Sequence, residues 1–251
     1  MSEVKNPFVT EADAKRYNGY RPRYHHIPFE KLLDWYGQPF DNVLDVACGT
    51  GHSTTTLKSI SKNLIGCDQS SAMLSEARNL LPEVSFYKCG AEFTPFESKS
   101  LDLINISMAY QWLDQKAFLF EVKRLLKPGG ILAIDNFGFT GLMADDPDFK
   151  NYYKEFDKKN MTAVPRNPDY PDEMSLKNSE LSFVHEISYQ QMVNLNKDSF
   201  IEYLKTRSNF ACLNEQQQSV VSQELPIYYG QKFKGLEKQL TFSGFTRVYR
   251  G

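Results

Sequence analysis

The stretch VLDVACGTGHS, residues 43–53, decides the fold of this chain. An apolar run encloses one acid, Asp45, and is followed by two glycines, Gly49 and Gly51. This pattern predicts a strand, a tight turn and the start of a helix. The glycines allow a ligand to approach the backbone closely, and the first helical turn offers unpaired N–H groups. The stretch therefore predicts a binding site at the end of a strand in an α/β sheet.

The chain after this stretch alternates strand and helix patterns. Helical patterns cover 70–81, with Ser70 as the N-cap, and 115–127. The predicted strands are 42–47, 63–68, 84–89, 101–107, 130–137, 184–193 and the tail 236–251, which forms a closing strand or a hairpin. Alternation of this kind predicts right-handed βαβ units. We expect an α/β fold with a doubly wound, mostly parallel seven-stranded sheet, which is a Rossmann-like architecture.

The predicted organisation is a single domain over residues 1–251. Residues 1–37 form N-terminal covering helices, and residues 38–137 form the cofactor-binding core. Residues 138–251 form a substrate-covering insertion after the fifth strand, followed by C-terminal helices and strands. The segment 138–180 is polar, aromatic and rich in proline, with one short helix predicted at 148–158, and a later helix is expected to begin near Asp198.

Composition excludes several classes of function. The 251 residues carry a formal net charge of -2, no basic run and no stretch of eighteen apolar residues. The four cysteines form no CxxC pair, which argues against zinc. We expect a small-molecule substrate with no metal, no nucleic acid partner and no membrane, in a cytoplasmic monomer or homodimer.

Two details separate the possible nucleotide ligands. A dinucleotide fingerprint needs a third glycine, but Thr54 stands at that position. The acid Asp45 would repel a pyrophosphate, whereas a ligand with a cationic amino-acid end would tolerate it. Asp68, seventeen residues past Gly51, ends the next strand, where an acid can accept hydrogen bonds from ribose hydroxyls. Asp68 could equally cap the following helix.

Four ordered motifs resemble class I S-adenosylmethionine-dependent methyltransferases of the UbiE/methyltransferase-11 type. The matching residues are VLDVACGTGHS (43–53), CDQSSAML (67–74), GAEFTPF (90–96), and SLDLINISMAYQWLD (100–114) with EVKRLLKPGG (121–130). The resemblance covers about 3–137. Segments 16–25, 200–210 and 241–251 are most similar to the trans-aconitate methyltransferase-like subgroup, whose members methylate small carboxylic acids.

The resemblance implies S-adenosyl-L-methionine as the cofactor and assigns roles by position. Asp45 helps hold the methionine end through the loop it organises, and Asp68 binds the ribose hydroxyls. The segment from Ser107 to Gln111 flanks the methionyl part, and Ala91 and Glu92 lie near the adenine. The full set of expected cofactor-binding residues is Tyr17, Arg21, Asp45, Ala47, Gly49, Gly51, Asp68, Gln69, Met73, Ala91, Glu92, Ser107 and Gln111.

The sequence departs from the subgroup at three positions. Gly90 precedes Ala91 in the third motif, Gln111 replaces a histidine, and Arg207 replaces an aromatic residue. The last two changes concern the acceptor more than the cofactor.

The expected reaction is an in-line displacement at the cofactor's methyl group. A carboxylate acceptor needs no general base, and the four histidines are scattered along the chain. An acid acceptor is therefore favoured, with Arg166 and Arg207 as candidate substrate contacts. A helix salt bridge is the competing interpretation for Arg207. Other functions left open are a phenol or amine acceptor, a binding module without turnover, a nucleic-acid methyltransferase and a nicotinamide-dependent oxidoreductase.

Overall fold

A computed structural model describes residue 8 and residues 10–139, 147–233 and 237–251. The described residues form a seven-stranded sheet with the order β3-β2-β1-β4-β5-β7-β6. The four ladders that connect β3, β2, β1, β4 and β5 are parallel. The strands are β1 Phe40–Val46, β2 Ser61–Asp68, β3 Ser85–Lys88, β4 Leu101–Ser107, β5 Leu126–Phe139, β6 Ser182–Leu195 and β7 Lys238–Arg250. The predicted α/β fold with a mostly parallel seven-stranded sheet is confirmed.

Helices occupy the connections between the strands. They are α1 Glu11–Tyr20, α2 His26–Tyr36, α3 His52–Leu57, α4 Ser71–Leu80, α5 Gln115–Leu125, α6 Pro147–Asn160, α7 Glu173–Ser179, α8 Lys197–Lys205, α9 Ser208–Ala211 and α10 Glu215–Phe233. The Ser70 hydroxyl accepts a hydrogen bond from the backbone N–H of Met73, so the predicted cap of α4 is confirmed. Among the described residues, no helix has the length and apolar character needed to cross a membrane.

Both faces of the central strands are buried, because neighbouring side chains point to opposite faces. Val43 and Leu103 belong to one apolar cluster, together with Phe29 and Leu32 of α2. Leu44 and Ile104 belong to a second cluster, with residues of α5. This arrangement explains why the strands are apolar throughout instead of alternating with polar residues.

The chain divides into two compact units. The sheet unit comprises residues 23–137, 166–189 and 244–251, and the helical unit comprises residues up to 22, 138–165 and 190–243. In the helical unit, aromatic side chains hold α6, α8 and α10 together. Phe149 lies 5.7 Å from Phe200 and 6.0 Å from Tyr229 between ring centroids. The expectation of a single domain over 1–251 stays a prediction.

The segment after β5 differs from the sequence-based expectation. The helix predicted at 148–158 is present as α6, but α7 was not predicted. Helix α7 has only seven residues, too few for an apolar period, and Asp172 stabilises it by accepting a hydrogen bond from the backbone N–H of Ser175. The tail forms a single strand, β7. Residues 140–146 of the predicted insertion lie outside the described residues.

Gly66 in β2 tests this packing. A Cβ atom at Gly66 would lie 2.7 Å from the ring of Phe86 and 3.2 Å from Cys48 Sγ. We expect Gly66→Ala to lower the free energy of unfolding by about 1–3 kcal/mol, measured by urea denaturation, because the buried ring must shift. Gly138→Ala in β5 is the control, since nothing lies within 4 Å of its Cβ position. Equal stability of the two variants would contradict this account of the packing.

Candidate active site

The strand order reverses between β1 and β4, which predicts a crevice at the carboxyl ends of these strands. The chain runs outward from β1 through β2 to β3 and then returns to β4 on the other side of β1. Asp45 of β1 is aligned with Gly66 of β2 and with Asn105 of β4. In open parallel sheets, ligands bind beyond the carboxyl ends of the strands at such a reversal. The residues that follow β1, β2 and β4 are therefore the ones to consider.

The loop after β1 has three residues in the left-handed region. The φ angles are +50° at Ala47, +56° at Gly49 and +82° at Gly51. A non-glycine residue in this conformation costs energy, and strain of this kind clusters at ligand sites. A Cβ at Gly51 would lie 3.4 Å from Cβ of Ala77, so this glycine lets the loop approach α4. At Gly49, no atom of the described residues lies within 4 Å of the Cβ position. The loop thus exposes bare backbone at Gly49.

Asp45 is fully buried behind this loop. One carboxylate oxygen accepts hydrogen bonds from the hydroxyls of Ser53 and Thr54, at 2.7 and 2.6 Å. The other accepts a bond of 2.8 Å from Asn105 Nδ2. Burial raises the pKa of Asp45 to about 6, while these three donors oppose the rise and the charge of Asp68 adds to it. Asp45 therefore joins β1, α3 and β4. The Thr54 hydroxyl, at the position where a dinucleotide fingerprint has glycine, takes part in this connection.

Asp68 lies at the end of β2 and joins that strand to the glycine loop. Its carboxylate accepts hydrogen bonds from the backbone N–H of Gly49, at 2.9 Å, and of Ser70, at 2.7 Å. The N–H of Gln69 also points to this carboxylate. Burial raises the pKa of Asp68 despite these bonds. Ser70 and not Asp68 caps α4, and a carboxylate with two backbone donors can accept further hydrogen bonds.

Ser107 is the last residue of β4, and Gln111 follows in the turn after that strand. Met108 has a φ of +58°, and its N–H donates to the carbonyl of Asp135 on β5. Gln111 is buried, and its Nε2 donates to the carbonyl of Met108 at 3.0 Å. Gln111 Oε1 is buried without a hydrogen-bond partner among the described residues. The strained turn therefore holds an unused acceptor beside the end of β4.

The other predicted residues of the sheet unit have partners of their own. Met73 is buried in α4, and Ala91 packs in the large apolar cluster. Glu92 accepts a hydrogen bond of 3.2 Å from the backbone N–H of Asp114, the residue that caps α5. The positions of these three residues do not test the expected contacts with the cofactor.

Three predicted residues belong to the helical unit. Arg21 donates to the carbonyl of Thr206 at 2.9 Å and lies over the ring of Tyr17, 4.9 Å from its centroid. Arg207 forms two hydrogen bonds with the carboxylate of Asp157, at 2.7 and 3.1 Å. The salt-bridge interpretation of Arg207 thus describes its contacts, although the acid is on another helix.

Arg166 belongs to the sheet unit, and its side chain contacts an aromatic ring instead of a carboxylate. Its exposed guanidinium lies over the ring of Trp112, 5.7 Å from the centroid. The next residue, Asn167, donates its N–H to the carbonyl of Gln111 at 3.0 Å and its side chain to the carbonyl of Leu113. The backbone next to Arg166 is therefore held against the turn that carries Gln111.

The sequence analysis missed Thr50, Asn105 and Asp135. Asn105 and Asp135 are fully buried polar residues in otherwise apolar strands, which was the available indication. Thr50 is buried in the glycine loop, and its hydroxyl has no partner among the described residues. Two unused polar atoms, Thr50 Oγ1 and Gln111 Oε1, together with the open space at Gly49, fit a nucleoside with polar substituents.

Comparison with known proteins supports this interpretation of the crevice. Residues 44–134 match the family model described as a methyltransferase domain. The ubiquinone/menaquinone biosynthesis C-methyltransferase UbiE of Campylobacter jejuni subsp. jejuni serotype O:6 is 33% identical over 116 residues, which are 43% of this chain and 49% of that protein. The chain thus matches about half the length of that relative.

Solved structures share the fold over most of the chain. The YcgJ protein of Bacillus subtilis superposes with a TM-score of 0.58 at 17% identity, covering 90% of this chain and 98% of that one. Geranyl diphosphate C-methyltransferase of Streptomyces coelicolor A3(2), solved with S-adenosyl-L-homocysteine, gives a TM-score of 0.52 at 15% identity, covering 99% and 86%. The family match thus covers residues 44–134, and the solved structures show a shared fold over most of the chain.

Proposed function

We propose that the protein transfers the methyl group of S-adenosylmethionine to a small-molecule acceptor by in-line displacement. The observation that carries this proposal is the loop at residues 47–51, held between the buried carboxylates of Asp45 and Asp68 at the reversal of the strand order. When bound, the cofactor supplies an activated methyl group on a sulfonium. The chain supplies the binding, the orientation and the electrostatic surroundings.

Each residue of the crevice has a role in this proposal. Asp68 holds the ribose hydroxyls, since its carboxylate already fixes the Gly49 backbone and keeps further accepting capacity. Gly49 lets the ligand lie against the backbone. Gln111 Oε1 and Thr50 Oγ1 accept hydrogen bonds from donor groups at the polar end of the ligand. Asp45 acts indirectly by holding the loop to α3 and β4, because its side chain has no exposed surface, whereas Asp68 keeps a small exposed fraction.

A carboxylate oxygen is the acceptor that we infer. The support is the resemblance to the trans-aconitate methyltransferase-like subgroup and the position of Arg166 in the same unit as the crevice. Arg207 has its charge balanced by Asp157, whereas Arg166 forms no ion pair among the described residues. A planar guanidinium binds a carboxylate through two parallel hydrogen bonds. Arg166 is thus the stronger of the two predicted substrate contacts.

An acceptor that must lose a proton is the second candidate, because of His25. This side chain is buried, and its Nδ1 has no hydrogen-bond partner among the described residues. Burial lowers the pKa of His25 well below its ordinary value, and the nearby His52 adds to the shift. A neutral imidazole is the form that accepts a proton from a phenol or an amine.

The proposed function is tested with methyl-tritiated S-adenosylmethionine and pooled acceptors. Separate pools contain carboxylic acids, phenols, amines and enolisable carbon acids, and the mass of each labelled product is determined. We expect transfer of label to the acid pool. Transfer to phenols or amines alone would replace the carboxylate by the second candidate. A protein that binds neither S-adenosylmethionine nor S-adenosylhomocysteine would refute the proposed function.

Substitution of Asp68 tests the ribose contact. We expect Asp68→Asn to weaken S-adenosylhomocysteine binding about tenfold to a hundredfold in calorimetry, because a charged hydrogen bond contributes about 1.5–3 kcal/mol. Asp102→Asn is the matched control, since Asp102 lies on β4 at the opposite end of the strand and pairs with Lys127. Equal losses in both variants would count against ribose binding by Asp68.

Substitution of Gly49 tests the bare backbone. We expect Gly49→Ala to abolish measurable S-adenosylhomocysteine binding, with a stability loss of about 1 kcal/mol from the left-handed φ. Gly37→Ala is the matched control, because Gly37 also has a positive φ, +88°, and open space around its Cβ position, but it ends α2. If both variants keep wild-type affinity, the ligand does not contact this loop.

Substitution of Arg166 tests the acceptor contact. We expect Arg166→Ala to raise KM for a carboxylate acceptor at least about tenfold, the effect of losing a charged hydrogen-bonded pair, with unchanged S-adenosylhomocysteine affinity. Arg250→Ala is the control, since Arg250 is also exposed and lies over a ring, that of Trp35. An unchanged KM in Arg166→Ala would exclude Arg166 from acceptor binding.

A further inference from the structure

A third buried carboxylate, Asp135, lies near the carboxyl end of β5. It accepts hydrogen bonds from the hydroxyls of Tyr24 at 3.0 Å, Tyr189 at 2.6 Å and Thr246 at 2.7 Å. The hydroxyl of Ser107 also lowers the pKa of this carboxyl. A fully buried carboxylate that is surrounded by neutral donors is uncommon, because burial of a charge is costly without a cation. The arrangement therefore calls for a functional explanation.

Asp135 is connected to the loop-organising Asp45 by two residues of β4. Asn105 Nδ2 donates to Asp45 at 2.8 Å and to the hydroxyl of Ser107 at 3.3 Å. Ser107 is the partner of Asp135 in the β4–β5 ladder, and its hydroxyl lowers the pKa of that carboxyl. Residues two apart on a strand point to the same face, which allows this connection. The result is one row of adjacent polar side chains, Asp45–Asn105–Ser107–Asp135, across three neighbouring strands.

The surrounding packing holds this row of side chains in place. A Cβ at Gly244 of β7 would lie 2.4 Å from the hydroxyl end of Tyr189, so the glycine makes room for the bond to Asp135. The ring of Tyr24 is stacked on Phe137 at 3.7 Å and on His25 at 4.0 Å between centroids. The donors to Asp135 thus have little freedom to turn away from it.

Negative charge accumulates at this edge of the sheet. Within the part of the chain that the structure describes, Asp45, Asp68 and Asp135 form no ion pair. Burial raises the pKa of Asp135 to about 6, against its hydroxyl donors. The titratable groups around Asp135 are Tyr24 and its neighbour His25, Tyr189 of β6, and Tyr170, while Arg247 of β7 is paired with Glu186. Above pH 6 the edge carries unbalanced carboxylate charge.

We propose that Asp135 is a further positioning residue of the cofactor site, which acts through Ser107, Asn105 and Asp45 and makes the site prefer the sulfonium cofactor over its neutral thioether product. This inference rests on the proposed function, because it takes the crevice to be the site of S-adenosylmethionine. A sulfonium carries a positive charge that S-adenosylhomocysteine lacks. Buried carboxylates that are not paired with a cation stabilise the bound sulfonium, and they do not change the affinity for the uncharged S-adenosylhomocysteine. Loss of the charge on methyl transfer then favours product release.

We expect the preference for S-adenosylmethionine over S-adenosylhomocysteine to increase as the pH rises. When pH rises through about 6, Asp135 and Asp45 both lose a proton, so the comparison of the wild type with Asp135→Asn isolates the contribution of Asp135. The ratio of S-adenosylmethionine affinity to S-adenosylhomocysteine affinity should rise as these negative charges appear. One unit charge acting on another at roughly 10 Å, at an effective dielectric constant of about 20, changes affinity about tenfold. By linkage, the bound sulfonium lowers the pKa of Asp135 by the same coupling.

The test measures both dissociation constants by calorimetry between pH 5 and pH 8. In the wild-type protein we expect the affinity ratio to rise about tenfold over this range. Asp135→Asn should show a smaller rise, and Asp102→Asn, which removes the same formal charge at the other end of the sheet, should match the wild type. Thermal unfolding of each variant confirms that it is folded.

Tyr189→Phe is the second variant, and it keeps the carboxylate and the ring. Removal of the hydroxyl donor should raise the pKa of Asp135, so that the rise in affinity ratio occurs at higher pH. A purely structural role would lower both affinities equally without moving this midpoint. The inference is overturned if the wild-type ratio is independent of pH, or if Asp135→Asn and Tyr189→Phe both follow the wild-type profile. Binding of neither compound by the wild type would instead refute the proposed function as well.

Discussion

The structure of the crevice depends on a buried carboxylate and its three donors. Asp45 has no exposed surface, and it joins the end of β1 to the first turn of α3 and to β4. Together with the bond from the Gly49 N–H to Asp68, these bonds keep the strained loop from Ala47 to Gly51 in place. Strained backbone persists only where surrounding interactions over-determine it. The carboxylate is therefore the element that converts a strand end into a defined binding surface.

Two other buried carboxylates at the same edge of the sheet are also held by hydrogen bonds from neutral donors. Asp68 fixes the glycine loop from β2, and Asp135 gathers hydroxyls from β4, β6 and β7 and from Tyr24. Each of these acids is held by neutral donors instead of arginine or lysine. A salt bridge would give similar rigidity but would cancel the charge. Neutral donors keep the field of the carboxylates available to a ligand, which is consistent with a cationic cofactor.

The proposed cofactor-binding residues and the candidate acceptor-binding residues differ in how they are held in the structure. The cofactor side is built from short segments of one unit, bonded to one another through backbone and buried side chains. The candidate acceptor contacts are arginines with individual environments. Arg207 is neutralised by Asp157 and Arg166 stands over Trp112. The family match, residues 44–134, includes the strands of the core and neither of these two arginines.

The sequence by itself determined the strand and helix order of residues 42–136, the positions of Asp45, Asp68 and the two glycines, and the cap at Ser70. These features are local, because apolar period, turn chemistry and capping depend on neighbours within a few residues. Only the tertiary structure decided that the Thr54 hydroxyl bonds Asp45, that Glu92 turns to the backbone of Asp114, and that Asn105 and Ser107 lie between two carboxylates. These contacts join residues from different strands and helices. Their partners are set by strand register and close packing, which no local pattern contains.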